Sequence, residues 1–174
     1  MQIPAEPTSN DPAVRRDRDQ TGRPRNARPR DGLGRPLAHG AEGIPTTDDD
    51  LVLPPAEAIT EAQRLLDAGR PFHAHEVLEG TWKAAADDER ELWRGLAQLA
   101  VGVTHARRGN PAGAIGLLSR AAERIAPYAD RDPHGVPVEV LAGWARRLAA
   151  RIATDGVQQL TPAELTPRLT RAQR

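Results

Sequence analysis

Cysteine is absent from this chain of 174 residues, which excludes a disulfide scaffold, a thiolate zinc site, an iron–sulfur cluster and a cysteine nucleophile. An excess of charge of one sign is absent too. Lys plus Arg and Asp plus Glu stand at 24 each, so no net charge draws the chain to nucleic acid, anionic lipid or an acidic partner. No run approaches the ~18 apolar residues of a membrane span, and the first residues hold no apolar stretch of the signal-peptide kind. The expectation is a soluble, cytoplasmic protein with no membrane partner. Aromatic residues make up only 3% of the chain, and all of them (Phe72, Trp82, Trp93, Tyr128 and Trp144) lie between positions 72 and 144. A core needs large side chains, so this scarcity locates it.

The first fifty residues have the opposite character. Pro and Gly recur there without a period, eight Arg and nine acids are interspersed, and Val14, Leu33 and Leu37 never build an apolar face. Such a stretch buries too little surface to offset its backbone entropy. Residues 1–50 therefore read as a disordered Arg/Pro/Gly-rich tail. Between positions 15 and 35 the arginines are interrupted by Asp17, Asp19 and Asp31, and no aromatic is present to stack on bases. Nucleic acid is not an expected partner. Residues 51–155 read as the folded domain and 156–174 as a C-terminal extension. There Thr161-Pro162-Ala163-Glu164 starts at most a short helix, which Pro167 limits.

Period and punctuation predict five helices in the domain. Pro55 opens the first and Gly69 ends it. The second runs from Pro71 to about Ala85. Asp88 with Glu91 has capping-box spacing and opens the third, which carries an apolar stripe from Leu92 to Ala106 and stops at Gly109. Asn110-Pro111 caps and starts the fourth, and the fifth follows Pro137. No segment alternates with period two. The fold class is all-α: about five antiparallel helices, joined by short links, in a compact bundle of stacked helical hairpins. Gly95 and Gly102 lie on the apolar side of the third helix, each at a cost of about 1 kcal/mol relative to Ala. Close approach of a neighbouring helix is the expected compensation.

One polar cluster stands out. On the second helix Phe72, His75, Glu79 and Trp82 share an arc of roughly 80°, with Glu76 on its margin. On the third, Arg94, Gln98 and His105 form a polar stripe flanking the apolar face. Antiparallel pairing sets His75, Glu79, Gln98 and His105 along one groove, with Asn110 at its end. Two chemistries fit. His75, Glu79 and His105 supply nitrogen and oxygen ligands for a divalent metal ion. The same three groups are also candidates for general acid–base catalysis, with Glu76, Trp82, Arg94, Gln98 and Asn110 binding a ligand. A buried hydrogen-bond network, or a solvated pair of Glu79 with Lys83, explains the same residues structurally. His73 points off the arc and is expected to be exposed. His39 in the tail and His134 in a Pro/Gly loop carry no expected role.

The runs FHAHEVLEGTW, WRGLAQLAVGVTHARRGN and GAIGLLSRA resemble the bacterial and archaeal family catalogued as domain of unknown function 309, over about positions 60 to 126. The resemblance implies a compact all-helical domain of stacked hairpins and no particular activity. Its pattern is met at His75, Glu76, Glu79, Trp82, Gly95, Gln98, His105, Gly109 and Asn110, and the N-terminal tail inherits nothing from it.

Two functions therefore stand open. One is an interaction or ligand-binding module that takes a protein partner or a second copy through the groove. Its hairpins resemble tetratricopeptide-type repeats, but the pattern from His75 to Trp82 has no second copy. The other is a metal-dependent or acid–base, hydrolase-like enzyme using His75, Glu79, Gln98 and His105.

Overall fold

Among the described residues, three of the five α-helices begin on proline, whose fixed φ and missing N–H suit a first turn: α1 (Pro55–Asp67), α2 (Pro71–Ala84) and α4 (Pro111–Ile125). The other two are α3 (Arg90–Arg107) and α5 (Val138–Asp155). They come from a computed structural model, which describes residues 28–38, 40–44, 52–131 and 133–171. Gly69 and Gly109, at φ +72° and +75°, follow α1 and α3 in the left-handed conformation that lets a helix end in a tight turn. Asn110 Oδ1 accepts the Gly113 N–H at 3.0 Å and caps α4. Among the described residues there is no strand, only isolated bridges from Arg30 to Pro36 and to Ile44.

The start of α3 differs from the capping box expected at Asp88. The helix begins at Arg90, and its N-cap is Glu89, with no side-chain cap bond. The Glu89 carboxylate is directed elsewhere. It accepts the Trp93 indole N–H at 3.2 Å and meets His134 Nε2 at 2.8 Å. His134, read from sequence as an unremarkable loop residue, holds a left-handed backbone (φ 53°) and sets its ring 5.5 Å from that of Trp93.

Each helix packs chiefly on its chain neighbours, and the α3–α4 contact is the most extensive. Leu92, Trp93, Leu96, Leu99, Leu118 and Ile125 form the centre of the core. Gly95 and Gly102 both face α4. A Cβ on Gly95 would stand 2.6 Å from Ile125 Cγ2 and 3.1 Å from Arg124 Cβ, and one on Gly102 would stand 3.0 Å from Leu118 Cγ. The expected compensation for these glycines, close approach of a neighbour, is what the packing shows.

Both flanking segments are built onto the helices. After α5, Thr161 and Glu164 form a reciprocal capping box: Thr161 N–H donates to Glu164 Oε2 at 2.8 Å and Glu164 N–H to Thr161 Oγ1 at 3.3 Å. It sustains one turn. Beyond it Leu165 and Leu169 are buried in the core. The Leu169 N–H donates to Gln63 Oε1 at 2.6 Å, and Gln63 Nε2 donates to the Pro167 carbonyl at 3.2 Å. At the other end, residues 28–38 and 40–44 are seated on α2 and α3. Within the expected tail, residues 1–27, His39 and 45–50 lie outside the described residues, among them the arginines from Arg15 to Arg25. Among the described residues no helix is long and apolar enough to cross a membrane.

Gly95 of α3 and Gly116 of α4 should respond oppositely to one methyl group. Gly116 on α4 would meet only the far end of the flexible Arg120 side chain, so Gly116→Ala should stabilise by about 0.4–1 kcal/mol. Gly95→Ala forces the buried Ile125 to shift and should destabilise by about 1–3 kcal/mol, despite its helical propensity. Urea unfolding of both variants measures the difference.

Candidate functional site

Helix α2 carries the first half of the expected cluster, and the structure keeps it together. His75 Nε2 lies 3.8 Å from Glu79 Oε2, one turn apart, and Lys83 Nζ lies 3.3 Å from Glu79 Oε1. The His75 ring sits 6.2 Å from Phe72, and its Nδ1 is buried without a hydrogen-bond partner. Burial lowers the His75 pKa; the Glu79 carboxylate works the other way, and the Lys83 ammonium adds to the lowering. Glu76 is half-buried beside them. The Arg94 guanidinium of α3 lies 5.6 Å over the half-buried Trp82 ring and reaches Glu91 Oε1 at 3.4 Å. Of the α3 candidates, Arg94 is the one that contacts this face of α2.

Gln98 and His105 turn the other way. Gly95, Gln98, Gly102 and His105 follow one another at helical spacings of three and four, so they share the stripe that the glycines press against α4. Gln98 Oε1 accepts the Arg124 Nε–H at 3.1 Å, and Arg124 Nη1 also pairs with Glu91. These groups form an α3–α4 tie across the flank of the core. At the far end of the stripe, Asn110 Nδ2 donates to His105 Nδ1 at 2.8 Å. A Cβ on Gly113 would stand 2.5 Å from the same nitrogen. His105 and Asn110 thus fasten the α3–α4 turn. His75 and Glu79 stay paired while His105 is engaged with Asn110. Among the described residues, no group of three or more His, Cys, Asp or Glu is placed to hold a metal ion. The trio of His75, Glu79 and His105 is not gathered.

The residue that the sequence reading placed in solvent, His73, is only 2% exposed. The N-terminal segment covers it. Neither ring nitrogen makes a hydrogen bond. Burial, and next the Arg70 charge, lower its pKa, against weaker opposing effects from the Ile44 backbone and Asp31. The seat beside it is Phe72. Gly34, at φ +73°, lies so close over the Phe72 ring that a Cβ would overlap its atoms. Arg30 and Arg108 place their guanidinium carbons 5.3 and 5.9 Å from the ring centre. Arg108 Nε donates to the Leu33 carbonyl at 2.9 Å, and Arg30 Nη1 to the Gly34 carbonyl at 2.6 Å. Asp31 Oδ1 accepts the N–H groups of Leu33 and Arg35 at 2.9 and 2.8 Å, holding the turn. Burial works to raise the Asp31 pKa, but these amides and the charges of Arg35 and Arg108 outweigh it and hold the carboxyl below its usual value. No spacing rule shows this seat; the signal is a lone Phe at a helix start and a Gly-x-Gly turn flanked by arginines.

The class is defined by these observations: a stack of helical hairpins with a half-buried His–Glu pair on one face and an aromatic seat at one end. Residues 59–117 match the family described as Domain of unknown function (DUF309), as the runs from Phe72 onward lead one to expect. An uncharacterized protein of Aquifex aeolicus (strain VF5) is 31% identical over 67 residues, 38% of this chain and 20% of that protein. The matched region is about a fifth of the relative's length. No solved structure matches the chain.

His73 and His75 make the fold sensitive to mild acid. Both pKa values are lowered in the folded state, so between the ordinary value near 6.5 and the lowered one the unfolded chain binds more protons. Stability is then full above that range and falls as pH drops through it. Thermal unfolding between about pH 7.5 and about pH 5.5 should show a decline in the wild type and a smaller decline in His73→Leu. An equal decline in both would contradict the neutral, buried assignment.

Proposed function

We propose that this chain is a helical interaction module, whose recognition surface is formed by the first turn of α2 and the end of α3 and accepts an Arg-Gly turn. The supporting observation is the seating of Gly34 on Phe72, between the guanidinium groups of Arg30 and Arg108. A glycine is required there twice, for its positive φ and for the absence of a side chain. The Leu33 carbonyl of the segment accepts from Arg108 at the end of α3, so backbone as well as side chain is read, while the segment's own Arg30 holds the Gly34 carbonyl. In this chain the occupant is its own N-terminal segment. A displacing protein segment of the same chemistry is the partner that this surface fits.

The hydrolase-like alternative retains the His75 and Glu79 pair with the unpartnered His75 Nδ1. Gln98 and His105 contribute instead to the α3–α4 contact. The reading as an interaction surface therefore draws on more of the molecule.

Gly34→Val tests it in the full chain. The bulky side chain should unseat the segment, and the Gly34, Leu37 and Ile44 amides, which are hydrogen-bonded to Asp31, Pro29 and Arg30 carbonyls, should lose exchange protection while the amides of α3 keep theirs. A labelled peptide of residues 28–44 should then bind the variant at least about tenfold more tightly than the wild type, whose seat is filled. Binding to neither protein, or equally to both, would contradict the proposal.

A further inference from the structure

On the same end of the molecule, the last turn of α3 carries two adjacent arginines with different fates. Arg108 is engaged by the Leu33 carbonyl. Among the described residues, no hydrogen bond or ion pair engages the Arg107 side chain. Its Nε is shut off from solvent without an acceptor, no carboxylate pairs with it among the described residues, and its Nη1 lies 3.4 Å from where a Gly69 Cβ would be. Burial alone shifts its pKa, downward, and a guanidinium remains charged through any such shift. A half-buried, permanent cation without a counter-ion is costly for a protein to retain.

Arg107 lines a cavity of about 360 Å³ with Leu33, Gly69, Ala106, Val157, Leu160, Pro162 and Leu165. That volume lies in the range of small-molecule sites. Every other lining residue is apolar or glycine, and none is acidic. Four segments far apart in the chain meet there: the N-terminal segment, the α1–α2 turn, the end of α3 and the C-terminal extension. The capping box of Thr161 and Glu164 fixes the last of these.

We infer that this cavity binds a small aliphatic carboxylate, with its head on the Arg107 guanidinium and its chain among Leu33, Val157, Leu160 and Leu165. A single planar guanidinium matches a carboxylate in charge and in its two-pronged geometry. An inorganic phosphate would leave the apolar walls unfilled, and a neutral alkyl chain would leave the cation unpaired. The inference needs the N-terminal segment seated, because Leu33 is part of the lining. It does not need that seat to accept a partner, so octanoate binding and peptide binding test the two readings separately.

Titration of the full-length protein with sodium octanoate, followed by the Arg107 Nε–H resonance and by calorimetry, tests it. Saturable binding with Kd of order 1 mM or tighter is expected, with the Nε–H signal shifting in step. Arg107→Gln should weaken octanoate at least about tenfold. Leu160→Trp, which narrows the cavity and leaves the cation in place, should weaken it as well. Octanol and inorganic phosphate should each bind at least about tenfold more weakly than octanoate. Failure of octanoate to saturate at about 10 mM, octanol or phosphate binding as tightly as octanoate, or unchanged affinity in a folded Arg107→Gln protein would overturn the inference.

Discussion

Helix α4 approaches α3 as closely as it does because Gly95 and Gly102 offer no side chain, and that single contact organises the rest of the molecule. It fixes the rotation of α3 about its axis, and with it the direction of every polar group on the same stripe. Gln98 meets Arg124 and His105 meets Asn110, while Arg94, whose long side chain swings to the other flank, covers Trp82. The α2 face keeps its own pair, His75 and Glu79. One apparent groove thus becomes two surfaces with different neighbours, of which the α3–α4 one serves cohesion.

The ends of α2 and α3 are where chemistry remains to be satisfied. Phe72 and Arg108 hold the Arg-Gly turn by an aromatic face, a guanidinium and the Leu33 carbonyl. Arg107, one residue away, faces an apolar cavity with no counter-charge. Both features depend on segments outside the helices: residues 28–44 supply Gly34 and Leu33, and the C-terminal turn supplies Leu160 and Leu165. A surface assembled from these flanking segments around a helical stack is the basis of the proposal that the protein reads short turn-forming segments or small ligands.

The helices were legible in the sequence because their signals are local. Pro55, Pro71 and Pro111 start helices, Gly69 and Gly109 stop them, and the apolar stripes need no long-range information. The glycines of α3 were legible as sites of close approach. What the pattern left open was which neighbour approaches, and pairing α3's polar stripe with α2 rather than α4 placed Gln98 and His105 in the wrong surroundings. The clue was present in their spacing from those same glycines. The seating of residues 28–44 was illegible for a different reason. It rests on one ring, one positive φ and a few hydrogen bonds rather than on a periodic apolar face, so composition alone reads as disorder. His73, expected in solvent because it points off the α2 arc, is buried instead. The meeting of Glu89 with His134, 45 residues apart, has no sequence signature at all.

A double-mutant cycle measured by urea unfolding tests the central claim, the orientation of the α3 stripe, most directly. Gln98→Ala should couple to Arg124→Ala by about 0.5–1.5 kcal/mol and be additive with Glu79→Ala to within about 0.3–0.5 kcal/mol. Coupling of Gln98 to Glu79 with additivity towards Arg124 would contradict the account, because Gln98 would then face α2 and the four-residue groove would be restored.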